Sequence, residues 1–99
     1  MLANDAQVLV LCALAEGPLH GYAINAAIEQ LVGERLAAGS LYGALARLEA
    51  KGLIEAVDGV GRQRPVRLTP QGAALLEREL RAMAEVSRTG LRRLGVSPA

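Results

Sequence analysis

The sequence has no tryptophan, no phenylalanine, two tyrosines, one histidine and a single cysteine. Each shortage closes off a possibility. Without large aromatics, the interior has to be built from aliphatic side chains. The lone cysteine, Cys12, excludes an intramolecular disulfide and a thiolate metal cluster, and it suits a reducing compartment. The residues show no metal-ligand spacing, no glycine-rich phosphate loop of known form and no nucleophile set beside a base. Neither enzyme chemistry nor a cofactor or metal is expected. No stretch approaches the ~20 apolar residues of a membrane span, and the opening residues lack a basic segment leading into a long apolar run. The chain therefore reads as cytoplasmic, with no membrane partner.

Net charge is nearly absent too. Eleven basic residues face ten acidic ones, leaving +1. A field that weak attracts no polyanion by itself, so any nucleic-acid contact must come from a local basic cluster. Ten of the eleven basic residues are arginine, the side chain suited to forked contacts with phosphates and base edges.

What is abundant is aliphatic surface. Hydrophobic residues make up 52% of 99 residues, against ~45–50% for soluble domains with glycine included. A body this small has too high a surface-to-volume ratio to hide so much easily. A second copy of the chain is the natural cover.

Along the chain, Asn4 or Asp5 caps a first helix through Val8–Ala15, which Gly17-Pro18 stops. It is apolar all round, so both sides need covering: one by its own core, the other by a different neighbour. A second helix runs from about Gly21 to Val32, with Ile24, Ala27, Ile28 and Leu31 on one face and Gly33 at its end. A third starts near Ser40 and ends at Gly52. At ~100° per residue, Leu41, Ala44, Leu45 and Leu48 share one face, while Gly43, Ala46, Arg47 and Ala50 lie opposite. Tyr42 and Glu49 flank them.

The period then changes. Residues Leu53–Val57 and Pro65–Thr69 read as two short strands joined by a glycine-containing polar loop. Pro65 lacks a backbone donor, so it belongs at a strand's first residue or on an outer edge. Thr69 or its neighbour caps a long last helix with Pro70 at its first position. Leu76, Leu80, Met83, Ala84, Leu91 and Leu94 share one sector of that helix, and Leu75, Ala82 and Val86 widen it. The arc exceeds what one core needs, so it is read as serving the chain's own domain and a twin. Gly90 is a candidate for fraying or kinking the helix, and Val96–Ala99 are expected to be disordered.

The order helix, helix, helix, strand, loop, strand, long helix is that of a winged helix-turn-helix. The fold class is mostly α with a small β-hairpin, with an added C-terminal dimerisation helix. Residues 1–69 form the DNA-binding part and 70–95 the dimerisation helix of a single unit. The third helix is small or polar outside, so it can enter a major groove roughly 12 Å wide. Gly43, Ala46 and Ala50 permit close approach, and Arg47 reaches a guanine edge or a phosphate. Ser40 and the free N–H groups of the first turn meet a phosphate at the positive end of the helix dipole. Tyr42 offers a hydroxyl to the backbone. Arg62 and Arg64 flank Gln63 at the hairpin tip, placed for phosphates or the minor groove. Arg67 and Lys51 are lesser candidates. The expected partners are double-stranded DNA and a second copy, the latter held through Val8, Leu11, Leu76, Leu80, Met83 and Leu91.

Several stretches together resemble the PadR family of bacterial transcriptional regulators. They are Val8–Leu14, Gly17-Pro18-Leu19-His20-Gly21-Tyr22, Gly39-Ser40-Leu41-Tyr42, Ala44–Glu49, Gly52-Leu53-Ile54 and Arg67-Leu68-Thr69 with Gly72. The resemblance covers residues 8–72. It implies a homodimeric repressor with interlocked terminal helices, binding a palindromic operator through the third helix and wing. It also implies release of DNA by a small aromatic or drug-like effector in many members. Three positions depart from the pattern: Gly43 replaces a usual proline, Pro65-Val66 replace an aromatic pair, and the C-terminal part is one helix without tryptophan. An effector held by aromatic stacking thus has no support in these residues.

Blander readings compete. Tyr22 is assigned to packing under the third helix, His20 to a helix start, Cys12 to the core. The alternative function is a winged helix that holds another protein without binding DNA, since fold alone does not assign function. Ser40, Arg47, Arg62 and Arg64 in place of exposed apolar groups favour DNA.

Overall fold

The computed structural model describes residues 5–57 and 64–96. Three helices come first: α1 (Ala6–Ala13), α2 (Gly21–Val32) and α3 (Ala38–Ala50). A two-stranded antiparallel hairpin, β1 (Ile54–Ala56) and β2 (Val66–Leu68), leads into α4 (Pro70–Arg93). This is the mostly helical architecture with a small hairpin that the hydrophobic periodicity predicts. Among the described residues, no helix is long and apolar enough to cross a membrane.

Asp5 caps α1, its carboxylate accepting from the N–H groups of Gln7 (2.8 Å) and Val8 (3.3 Å). The helix ends at Ala13, two residues earlier than expected, because Leu14 through Glu16 turn toward Gly17-Pro18. Leu9, Val10, Leu11 and Leu14 are buried, with Val8, Cys12 and Ala13 half-buried against the same core. The central α1 is packed by α2, α3 and α4 of its own chain. Val8, Cys12 and Ala13 keep part of their surface open beyond those contacts.

Ile24 and Ile28 of α2 and Leu41, Ala44 and Leu48 of α3 complete the core with Ile54 and Leu76. Each is aliphatic, and full burial of a large one stabilises by roughly 1.5–3 kcal/mol. Leu31 departs from its expected place. It is half exposed, because α2 outruns the core in its last turn.

The hairpin pairs Ile54 with Leu68, Glu55 with Arg67 and Ala56 with Val66. Backbone bonds extend this ladder at both ends, from Thr69 N–H to the Leu53 carbonyl (3.1 Å) and from Val57 N–H to the Pro65 carbonyl (2.8 Å). Pro65 thus joins through its acceptor alone. The far edge of β2 is partly filled: Leu19 and Val66 exchange two backbone bonds of 3.0 and 2.9 Å. The α1–α2 connection thereby ties the hairpin to the helical body.

Thr69 nails α4 to that hairpin. Its hydroxyl donates to the Gly52 carbonyl (2.7 Å) and accepts from Gly72 N–H (3.0 Å). Gly72 is required here, since a Cβ at this position would lie 1.9 Å from the Leu53 carbonyl oxygen. Beyond Leu76 the helix leaves the core, and its 24 residues span about 36 Å. The 53 × 26 × 20 Å extents reflect that projection. The helix runs unbroken through Gly90 and closes at Gly95, a left-handed residue with φ 77°. Val96 N–H bonds the Leu91 carbonyl (2.9 Å) and Gly95 N–H that of Arg92 (3.0 Å), the paired pattern of a Schellman motif. Val96 thus belongs to the helix cap, and the rest of the Val96–Ala99 stretch lies outside the described residues.

Candidate nucleic-acid interface

The turn between α2 and α3 is set by one side chain. Asn25 donates to the Leu36 carbonyl and accepts from Leu36 N–H, both at 2.8 Å. The two bonds clamp the connection two residues before α3 and determine where that helix begins. Consequently α3 starts at Ala38, ahead of Ser40. Ala37 is its N-cap and offers no side-chain bond, so its first-turn N–H groups face outward uncapped.

Ser40 is exposed in that first turn. Arg47 is also exposed, and its guanidinium folds back along the helix beside Gly43, where a Cβ would stand 3.3 Å from Nη1. Glycine at 43 therefore leaves room for Arg47 to lie close to the helix. Ala46 and Ala50 continue the small, exposed stripe. Among the described residues, Arg47 has no carboxylate partner.

Tyr42 is 60% exposed, yet its hydroxyl reaches the start of α2: a Cβ on Gly21 would be 3.2 Å from that oxygen. The outer face of α3 and the N-terminus of α2 therefore form one continuous surface. Tyr22 lies on it. At 70% exposure it does not pack under α3 as expected, and the Arg35 guanidinium carbon stands 5.3 Å from its ring centroid. Both residues were invisible as a pair in the sequence, because thirteen positions separate them and only the α2–α3 turn brings them together. Asn25 was missed as well. A polar residue between Ile24 and Ile28 was the available signal.

In the wing, Arg64 is exposed at the start of the returning strand, whereas Arg62 and Gln63 lie outside the described residues. The lesser candidates are engaged elsewhere. Arg67 pairs with Glu55 across the hairpin (2.9 Å), and Lys51 donates to the Gln7 side chain (2.9 Å).

The six residues assigned to a second chain divide. Leu11 and Leu76 are 1% and 5% exposed, sealed in the chain's own core by α1 packing and the anchored start of α4. They are removed from a partner-facing set. Val8 is half-buried, as are Met83 and Leu91, and Leu80 is exposed. Along α4 an open groove of about 440 Å³ runs past Ala15, Leu68, Ala73, Leu80 and Ala84, with Glu77 and Arg81 at its rim.

The chain is similar to several known proteins. A protein of Streptomyces fradiae, described as an uncharacterized 37.1 kDa protein in transposon TN4556, is 69% identical over 87 residues. That match takes in 88% of this chain and 25% of the relative, so the chain spans a quarter of that protein's length. A PadR family transcription regulator from Clostridium difficile is 26% identical with a TM-score of 0.78, covering 92% of this chain and 99% of that one. BpsR of Bordetella bronchiseptica, whose DNA binding is regulated by 6-hydroxynicotinic acid, is 26% identical with a TM-score of 0.71, covering 87% and 58%. The sequence profile of the transcriptional regulator PadR-like family matches residues 10–78, from the buried helix α1 through the anchored start of α4. The chain belongs to the PadR-like family of transcriptional regulators.

Proposed function

We propose that the chain is a sequence-specific DNA-binding regulator, acting as a homodimeric repressor on a palindromic operator. The observation that carries this reading is the outer face of α3: an uncapped N-terminus, exposed Ser40, and a slim stripe in which Arg47 lies over Gly43. Such a face fits the major groove. The small residues let the backbone approach, the first-turn N–H groups meet a phosphate, and Arg47 reaches a base edge. Tyr42 is exposed beside that face and is assigned to the DNA backbone, as are Arg64 and, outside the described residues, Arg62. BpsR, with its regulated DNA binding, supports the partner class. The ligand in question is that protein's, and no effector is proposed for this chain.

Affinity selection from random duplexes tests the function directly. A single enriched motif of two inverted half-sites, about 34 Å apart between centres, is expected. Failure to enrich any sequence would favour the protein-binding alternative. On the selected site, Arg47→Ala should weaken binding by roughly 1–3 kcal/mol and relax preference at one base position. Unchanged affinity and preference would remove Arg47 from the interface.

The homodimer reading rests on α4. Leu80, Met83 and Leu91, with Val86 and Leu94 at 65% and 78% exposure, line a helix that has left its own core. A second chain covering them removes apolar surface from water at about 25 cal/mol per Å². Leu80→Asp with Met83→Asp should convert a dimer to a folded monomer in sedimentation at micromolar concentration. A wild-type protein that sediments as a monomer there would overturn the assignment.

A further inference from the structure

Tyr22, Asn25 and Glu29 occupy positions i, i+3 and i+7 of α2 and therefore share one stripe. Arg35, arriving from the turn, lies along that stripe. Its guanidinium covers the Tyr22 ring at 5.3 Å, and its Nε stands 3.3 Å from Glu29 Oε1. The Arg35 and Glu29 side chains are 39% and 50% exposed. An ion pair so wet contributes little to stability. It is also longer than the ~2.7–2.9 Å of a tight charge-assisted bond, whereas Arg67 and Glu55 close to 2.9 Å. The trio has a definite geometry that the fold scarcely needs.

Its position gives it a use. The Asn25 clamp holds Leu36, the residue after Arg35, and so places this arginine at the approach to the uncapped start of α3. A Cβ on the neighbouring Gly21 would stand 3.2 Å from the hydroxyl of Tyr42, an exposed residue on the flank of α3. We propose that Arg35 is a phosphate-binding residue of this interface, held ready by Tyr22 and Glu29. In the free protein the Glu29 carboxylate occupies the place of a backbone phosphate. The Tyr22 ring holds the guanidinium in place, which lowers the conformational cost of the contact. On binding, Arg35 exchanges the carboxylate for a phosphate oxygen of duplex DNA. This inference rests on the DNA-binding reading above and adds to it a residue outside α3 and the wing.

The test is a salt titration of binding to random-sequence duplex DNA, with melting temperatures measured to confirm folding. Arg35→Ala should bind several-fold more weakly, with a salt slope shallower by about one unit, and Arg35→Lys should keep the wild-type slope. Glu29→Gln should tighten binding, and most of that gain should vanish when Arg35 is also alanine. An Arg35→Ala slope equal to wild type overturns the inference while leaving the DNA-binding reading intact. A Glu29→Gln gain of the same size with and without Arg35 overturns the exchange, since the carboxylate would then simply repel DNA. Absence of wild-type binding at any salt concentration overturns the reading itself, and the inference with it.

Discussion

Alanine at position 72 should cost the protein much of its stability, whereas alanine at position 90 of the same helix should stabilise it. The substitution is chemically identical and the surroundings decide its sign. At Gly72 the new Cβ would sit 1.9 Å from the Leu53 carbonyl oxygen, and the obstacle is backbone that no rotamer change can move. Relief requires shifting α4 off β1. That shift would break the Thr69 hydroxyl's bonds to Gly52 and Gly72 and loosen Leu76 in the core. A loss of about 3 kcal/mol or more is expected, at the upper end of overpacking. At Gly90 nothing lies within 4 Å of the added methyl. There the effect is conformational, and alanine gains roughly 0.5–1 kcal/mol from helix propensity. Thermal unfolding reads both, at about 4–8 °C per kcal/mol for a chain of this size. Equal melting temperatures for Gly72→Ala and wild type would mean that the start of α4 is not packed as described.

Asn25→Ala should show the second large effect. The side chain satisfies both backbone groups of Leu36 in a part-buried position. Removing it leaves a donor and an acceptor without partners, at a cost of about 2 kcal/mol. The functional loss should exceed what stability alone predicts, because the clamp sets where α3 begins and how it is aimed. Hydrogen exchange at the Leu36 amide should accelerate, and DNA affinity should fall even at temperatures where the variant is fully folded. Asn25→Asp keeps the acceptor but puts a carboxylate against the Leu36 carbonyl, so it should not rescue. Normal exchange at Leu36 in the alanine variant would sink this account.

Much of the architecture was legible because it follows from local rules. Asp5 before an apolar run, Thr69-Pro70 before a long one, and Gly33 and Gly52 after others mark ends by hydrogen-bonding capacity and backbone freedom, both properties of single residues. The two faces of α3 came from its period, and the structure buries Leu41, Ala44 and Leu48 while exposing Ala46, Arg47 and Ala50. Less legible were the ends of α1 and α3. Those depend on a turn and on a clamp from another element, whose one local sign is the polar Asn25 between Ile24 and Ile28.

Periodicity by itself established the helices, the hairpin and which side of each helix is oily, since spacing along a chain determines which residues share a face. It did not show how the oily residues were divided. Leu11, Leu76, Leu80 and Leu91 look alike on a helical wheel, yet the first two are sealed within one chain and the last two lie beyond its core. Tertiary structure made that division, because burial depends on which helix happens to cross at a given height. It likewise brought Arg35 over Tyr22 and the hydroxyl of Tyr42 to Gly21. Contacts between residues far apart in sequence arise from the path of the backbone, which no single residue encodes.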